Sequence, residues 1–154
     1  MSATSNLTEE TVEHLQQLIQ VNIDSREGFE EAAEAIDDPK VQKLFRRLES
    51  ERAANVEELK QIVEFSGVEA EDDGSIMAAV HRCWLEARAA LNGGDAHVVL
   101  CEAEKGEDKI KEQYEECLKD NPGSAVSDVL HAQYAKVKAG HDEVRDLRDA
   151  YAEK

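Results

Sequence analysis

Apolar residues recur at three- and four-residue steps through four long stretches of this chain, and a polar side chain interrupts each apolar seam near its middle. The first stretch carries Leu15, Leu18, Ile19, Phe29 and Ile36, with Asn22 between them; the second carries Val41, Phe45, Leu48, Val56 and Leu59, with Arg52 and Asn55 inside it. The third runs Val99, Ala103, Ile110 and Tyr114 around Glu107. The fourth runs Val126, Leu130, Val137, Val144 and Leu147 around Lys138 and His141. A period near 3.6 sustained over such lengths selects amphipathic helices and rejects strands, whose faces alternate every second residue. With only two prolines and 5% aromatic residues, the composition agrees with that choice.

The breaks between stretches set the topology. Leu7-Thr8-Glu9-Glu10-Thr11-Val12 reads as a helix start, with Thr8 as cap and two glutamates at the positive end of the dipole. Asp37-Asp38-Pro39 stops one helix and starts the next, so the first two helices form an antiparallel hairpin. Gly67 suits a helix C-terminus. A polar loop then leads to a shorter amphipathic segment, Ser75 to Leu91, that ends at Asn92-Gly93-Gly94. Asp95 caps the third long helix, and Asn121-Pro122-Gly123-Ser124 separates it from the fourth. The expected helices span about 8–36, 39–66, 75–91, 95–119 and 124–151, in one domain over 1–154. The expected fold is all-α: two helix hairpins joined by a long helical crossover, the ferritin-like layout of a four-helix bundle.

Charge and cysteines narrow the setting. Asp and Glu number 35 against 18 Lys and Arg, a formal charge of −17. Such a field repels phosphate backbones and anionic lipid, so the expected partners include no nucleic acid and no membrane. The surface reads as a solvated acidic one. No apolar stretch reaches the roughly 18 residues of a membrane span. Cys83, Cys101 and Cys117 form an odd set without a CxxC pair. Cys101 and Cys117 on one helix would stand about 24 Å apart, far beyond disulfide reach. Reduced thiols and a cytoplasmic location follow as expectations.

In di-metal bundles of this layout, helices contribute Glu and Glu-x-x-His ligands from the bundle's middle, since two divalent cations in an apolar core need several carboxylates and imidazoles. Here the corresponding seams offer Arg52-Ala-Ala-Asn55, or Glu51-Arg-Ala-Ala54 one register earlier, and Lys138-Ala-Gly-His141. Only Glu107 and His141 retain ligand-capable types, and Asn22 stands where a carboxylate is expected. The sequence therefore suggests a central polar layer of Asn22, Arg52, Asn55, Glu107, Lys138 and His141, in which protein cations replace the metal's charge. Such a layer is tolerable only as a satisfied network, because a lone buried charge costs several kcal/mol. The competing expectation is that the long side chains reach out to water. The alternative metal set is Glu104, Glu107 and His141, taking iron, manganese or zinc. His81, Arg82 and Trp84 on the crossover segment form a possible pocket, although a His beside a Trp on an apolar face is more often packing.

Four motifs also carry a resemblance: Asn22-Ile-Asp-Ser-Arg-Glu-Gly-Phe29, His81-Arg-Cys-Trp84, Glu104-Lys-Gly-Glu-Asp108 and the segment from His141 to Asp149. Their order over residues 7 to 150 resembles a bacterial ferritin-like family of unknown function, whose commoner Gly and Arg are replaced by Cys83 and Lys105. The resemblance implies a ferritin-like bundle and no established activity. The expectation is a non-catalytic bundle without a complete di-metal site or required cofactor, acting by association, as a homodimer or other homo-oligomer, or as a stress-related scaffold. The alternative is a metal-binding protein using Glu107 and His141.

Overall fold

A computed structural model describes residues 8–65, 67, 96–119 and 124–152. Among them the chain forms four helices and no strand: α1 (Glu9–Ala35), α2 (Pro39–Phe65), α3 (Ala96–Lys119) and α4 (Ser124–Ala152). The Thr8 side chain accepts the Thr11 amide at 3.0 Å and so occupies one of the donors that a helix start leaves free. Glu9 and Glu10 sit in the same turn, where the helix dipole favours negative charge.

Asp38 makes the tight corner between α1 and α2. Its Oδ1 accepts the amides of Lys40 at 3.0 Å and Val41 at 3.2 Å, while Pro39 takes the first helical position, where no amide donor is needed. Gln42 Nε2 donates back to the Ala33 carbonyl at 2.7 Å, tying the two helices together beside the corner. The Tyr151 hydroxyl donates to Asp38 Oδ2, bringing the far end of α4 to the same corner. At the other end of α2, Gly67 has φ 89° and donates its amide to the Glu64 carbonyl. That left-handed conformation suits glycine, which has no Cβ to clash.

Contacts between helices give their directions. Asn22 meets Asn55 and Ala33 meets Gln42, so α1 and α2 are antiparallel. Arg47 meets Glu143 while Glu58 meets Gln133, so α2 and α4 are antiparallel. Glu104 meets Arg148 while Glu115 meets Tyr134, so α3 and α4 are antiparallel. It follows that α2 and α3 run in the same direction, so the C-terminal end of α2 and the N-terminal end of α3 lie at opposite ends of the bundle. Each helix packs on two neighbours: α1 on α2 and α3, α4 on α3 and α2. Thus α2 and α3 face each other across a diagonal. The sequence expectation of a crossover helix over 75–91 lies outside the described residues.

The seams close on a continuous core that includes Leu15, Phe29, Phe45, Leu59, Ile110 and Leu130. The Phe29 and Phe45 rings sit 5.3 Å apart and tilted by 48°, a favourable aromatic geometry, near the α1–α2 corner. Among the described residues no helix is long and apolar enough to cross a membrane.

Candidate functional site: a charged diagonal in the core

Arg52 and Glu107 project from α2 and α3, the diagonal pair, and both side chains are 0% exposed. Arg52 Nη2 donates to Glu107 Oε2 at 2.5 Å. Local sequence explains how they arrive there. Each occupies a seam position one helical repeat from apolar residues, Leu48 and Val56 for Arg52, Ala103 and Ile110 for Glu107, so neither can leave the core without turning its whole helix. Burial pushes the Glu107 carboxyl above its ordinary range, and Arg52, by charge and hydrogen bond, pulls against that shift.

Gly140 on α4 makes room for this pair. A Cβ there would stand 2.8 Å from Leu48 Cδ2, 3.2 Å from Arg52 Nη2 and 3.5 Å from Glu107 Oε2. Glycine inside a helix normally costs about 1 kcal/mol relative to alanine. Here that cost admits a guanidinium, and the helix propensity regained by Gly140→Ala is outweighed by crowding of about 1–3 kcal/mol. Chemical unfolding of Gly140→Ala should therefore show a net loss of about 1 kcal/mol; a gain would mean that Leu48 and Arg52 yield freely.

A second chain of hydrogen bonds, uncharged until it reaches Glu58, crosses the same level. Asn55 Nδ2 donates to Asn22 Oδ1 at 3.1 Å, and Asn22 Nδ2 donates to the Leu18 carbonyl at 2.8 Å and the Tyr114 hydroxyl at 3.0 Å. Tyr114 donates to Gln133 Oε1 at 2.6 Å, and Gln133 Nε2 donates to Glu58 Oε1 at 2.7 Å. All four helices contribute. Burial raises the Tyr114 pKa, which keeps its hydroxyl protonated as the donor to Gln133.

The structure divides the residues singled out from the sequence. Asn22, Arg52, Asn55 and Glu107 are buried in the central layer. Lys138 is not part of it: its side chain is 56% exposed and its Nζ lies 3.8 Å from Asp142 Oδ2, because its position on α4 faces solvent. His141 is also buried, beside the layer, with Nε2 at 2.6 Å from Asp108 Oδ1 and Nδ1 at 3.1 Å from Asp142 Oδ1. That ring, with Arg145 and Lys138, holds the Asp142 carboxyl below its usual range. His81, Arg82 and Trp84 lie outside the described residues.

The alternative metal set is not assembled. Glu104 Oε1 is held by Arg148, Glu104 Oε2 is 3.8 Å from His141, and Glu107 Oε2 is taken by Arg52. Among the described residues no group of three or more His, Cys, Asp or Glu side chains is placed to hold a metal ion.

The apolar periodicity alone does not single out Tyr114 or Gln133. The available signal was Gln133 itself, an amide on an otherwise apolar face that needs a buried partner. Asp108 and Arg148 were also missed, since nothing local says which exposed charge meets His141.

The pull between burial and Arg52 gives a pH test. A carboxyl whose folded pKa is raised contributes stability that is present below its unfolded pKa, roughly 4.3, and lost as pH rises through the folded value. Glu107→Gln removes that titration. The stability of the natural chain relative to Glu107→Gln should fall with rising pH above that range in urea titrations. A rising difference would mean that Arg52 dominates the shift.

The sequence profile of a domain of unknown function, DUF2383, matches residues 10–120. The match includes Asn22, Arg52, Asn55, Glu107 and Tyr114, whereas Gln133 and Gly140 on α4 lie beyond it. A search of curated proteins gives no match. With most of its length matched, including three of the four helices that build the charged diagonal and its surroundings, the chain belongs to the DUF2383 family.

Proposed function

We propose that this protein is a non-catalytic bundle of ferritin-like architecture in which an internal ion pair takes the place of a metal centre, and that it acts by association with a second copy or another protein. The observation that carries this reading is Arg52 Nη2 on Glu107 Oε2 at the centre of the bundle, with both side chains at 0% exposure. A carboxylate in the position where a di-metal bundle keeps a ligand is already neutralised by a guanidinium, which remains charged at any physiological pH. The antiparallel hairpins, with α2 and α3 running in the same direction, support the ferritin-like topology. The side chains of this layer bind one another, and none pairs a nucleophile with a base in an open cleft.

Cys101 and Cys117 share the single helix α3, sixteen residues apart and beyond disulfide reach of one another, which suits a reducing cytoplasm. A surface groove of about 510 Å³ between α2 and α4, bordered by Lys43, Leu44, Arg47, Glu143 and Leu147, offers both charges and some apolar area to a partner.

Metal analysis tests the first half of the reading. Protein purified without a histidine tag should contain no stoichiometric iron, manganese or zinc, and should stay so after anaerobic iron loading and gel filtration. A stoichiometric metal that disappears in Glu107→Gln or His141→Ala would replace this reading with the metal-binding one. Light scattering tests the second half. A strict monomer in isolation that also retains no partner from its native lysate would remove association.

A further inference from the structure

The ion pair leaves part of its hydrogen-bonding capacity unspent. Arg52 carries five N–H donors, and its hydrogen bond to Glu107 uses Nη2. Among the described residues Arg52 Nε, Arg52 Nη1 and Glu107 Oε1 are buried with no hydrogen-bond partner. The nearest carboxylate to Nη1 on its own helix, Glu51 Oε1, stands at 4.0 Å, beyond hydrogen-bond reach. The one N–H of Nε, the two of Nη1 and one carboxylate oxygen therefore stay unspent in side chains with 0% exposure. Buried polar groups in folded proteins are nearly always satisfied, by protein or by ordered water.

We propose that the Arg52–Glu107 pair forms a binding site for buried water, which accepts from Arg52 Nε or Nη1 and donates to Glu107 Oε1. This rests on the ion pair of the preceding section but not on the metal content or assembly state inferred from it. Chemistry selects the ligand. An anion would satisfy Arg52 and be repelled by Glu107; a cation would meet the reverse conflict. A neutral molecule with both a donor and an acceptor satisfies both sides. Among neutral molecules water is the smallest that carries both functions, and it is the usual partner of buried polar groups that the protein leaves unmet. The pair is hydrated from within, so its charge is balanced by a counter-ion on one edge and by solvent on the others. That arrangement explains how an arginine, which has no neutral form to retreat to, is kept in the middle of an apolar bundle.

A crystal structure of the full chain at a resolution that shows solvent, with a sodium bromide soak, tests the site. The expected result is a peak without bromide anomalous signal, within hydrogen-bond distance of Arg52 Nε or Nη1 and linked to Glu107 Oε1. In solution the Arg52 Nε–H of labelled protein should show a water cross-peak with the sign of a long-lived bound molecule. In the Arg52→Met/Glu107→Met double variant the solvent peak should vanish. Bromide at the site would overturn the proposal in favour of an anion site. A dry pair whose free atoms had turned onto protein acceptors and donors would also overturn it, as would water that persists in the double variant. None of these three outcomes bears on whether the chain carries metal.

Discussion

Replacing Arg52 with methionine is expected to lower the stability of the folded chain by about 3–5 kcal/mol, the usual cost of removing one member of a buried ion pair. Methionine keeps much of the length and apolar volume of the arginine stem, so the loss reports chiefly on charge. It strands Glu107, a carboxyl with 0% side-chain exposure that burial already pushes upward and that would lose both the charge and the hydrogen bond pulling it down. Stability of Arg52→Met should consequently fall more steeply with rising pH than that of the natural chain, because the raised folded pKa moves higher still. The thermal midpoint should drop by roughly 10 °C.

The companion measurement is the double variant Arg52→Met/Glu107→Met. Apolar side chains of similar size can replace a buried pair at little or no cost, so the second substitution should restore most of what the first removed. Urea unfolding followed by circular dichroism measures all four corners of the cycle. If the two single losses simply add, the side chains act independently and the charged diagonal has no energetic meaning.

Tyr114→Phe is expected to cost about 1–3 kcal/mol, the penalty for leaving a buried partner unsatisfied. Phenylalanine fills the same volume and removes only the hydroxyl. Gln133 Oε1 loses the donor it faces at 2.6 Å, and Asn22 Nδ2 keeps only the Leu18 carbonyl. The control is Tyr134→Phe, one residue along α4 from Gln133. Its hydroxyl also donates at 2.6 Å, but to Glu115 at a partly open edge where water can substitute, so its loss should stay within about 1 kcal/mol. Equal losses in the two variants would mean that the hydrogen-bonded chain across the bundle adds nothing beyond an ordinary surface hydrogen bond.

How much of this was legible in the sequence differs by residue. Arg52 and Glu107 each announce themselves by standing on an apolar seam, since burial of such a position follows from helical periodicity alone. Their pairing across the α2–α3 diagonal needs the directions of all four helices, and those depend on contacts far apart in the chain. Lys138 shows the limit from the other side. It lies two residues from Gly140, about 200° around the helix, so the two positions stand on nearly opposite faces of α4. Once Gly140 packs against Arg52, Lys138 must face solvent.

By itself, then, the sequence determined the helices: their periodicity, the Thr8 and Asp38 caps, the break at Pro39 and the mid-seam polar residues are local features whose causes lie within a few residues. Only the tertiary structure decided which polar groups meet. It set Arg52 on Glu107, Asn22 between Asn55 and Tyr114, and His141 between Asp108 and Asp142. It also gave Glu104 to Arg148 and Glu107 to Arg52. The physical reason is that hydrogen bonds and ion pairs act over about 3 Å, whereas the pattern of apolar residues specifies a helix face many ångströms wide.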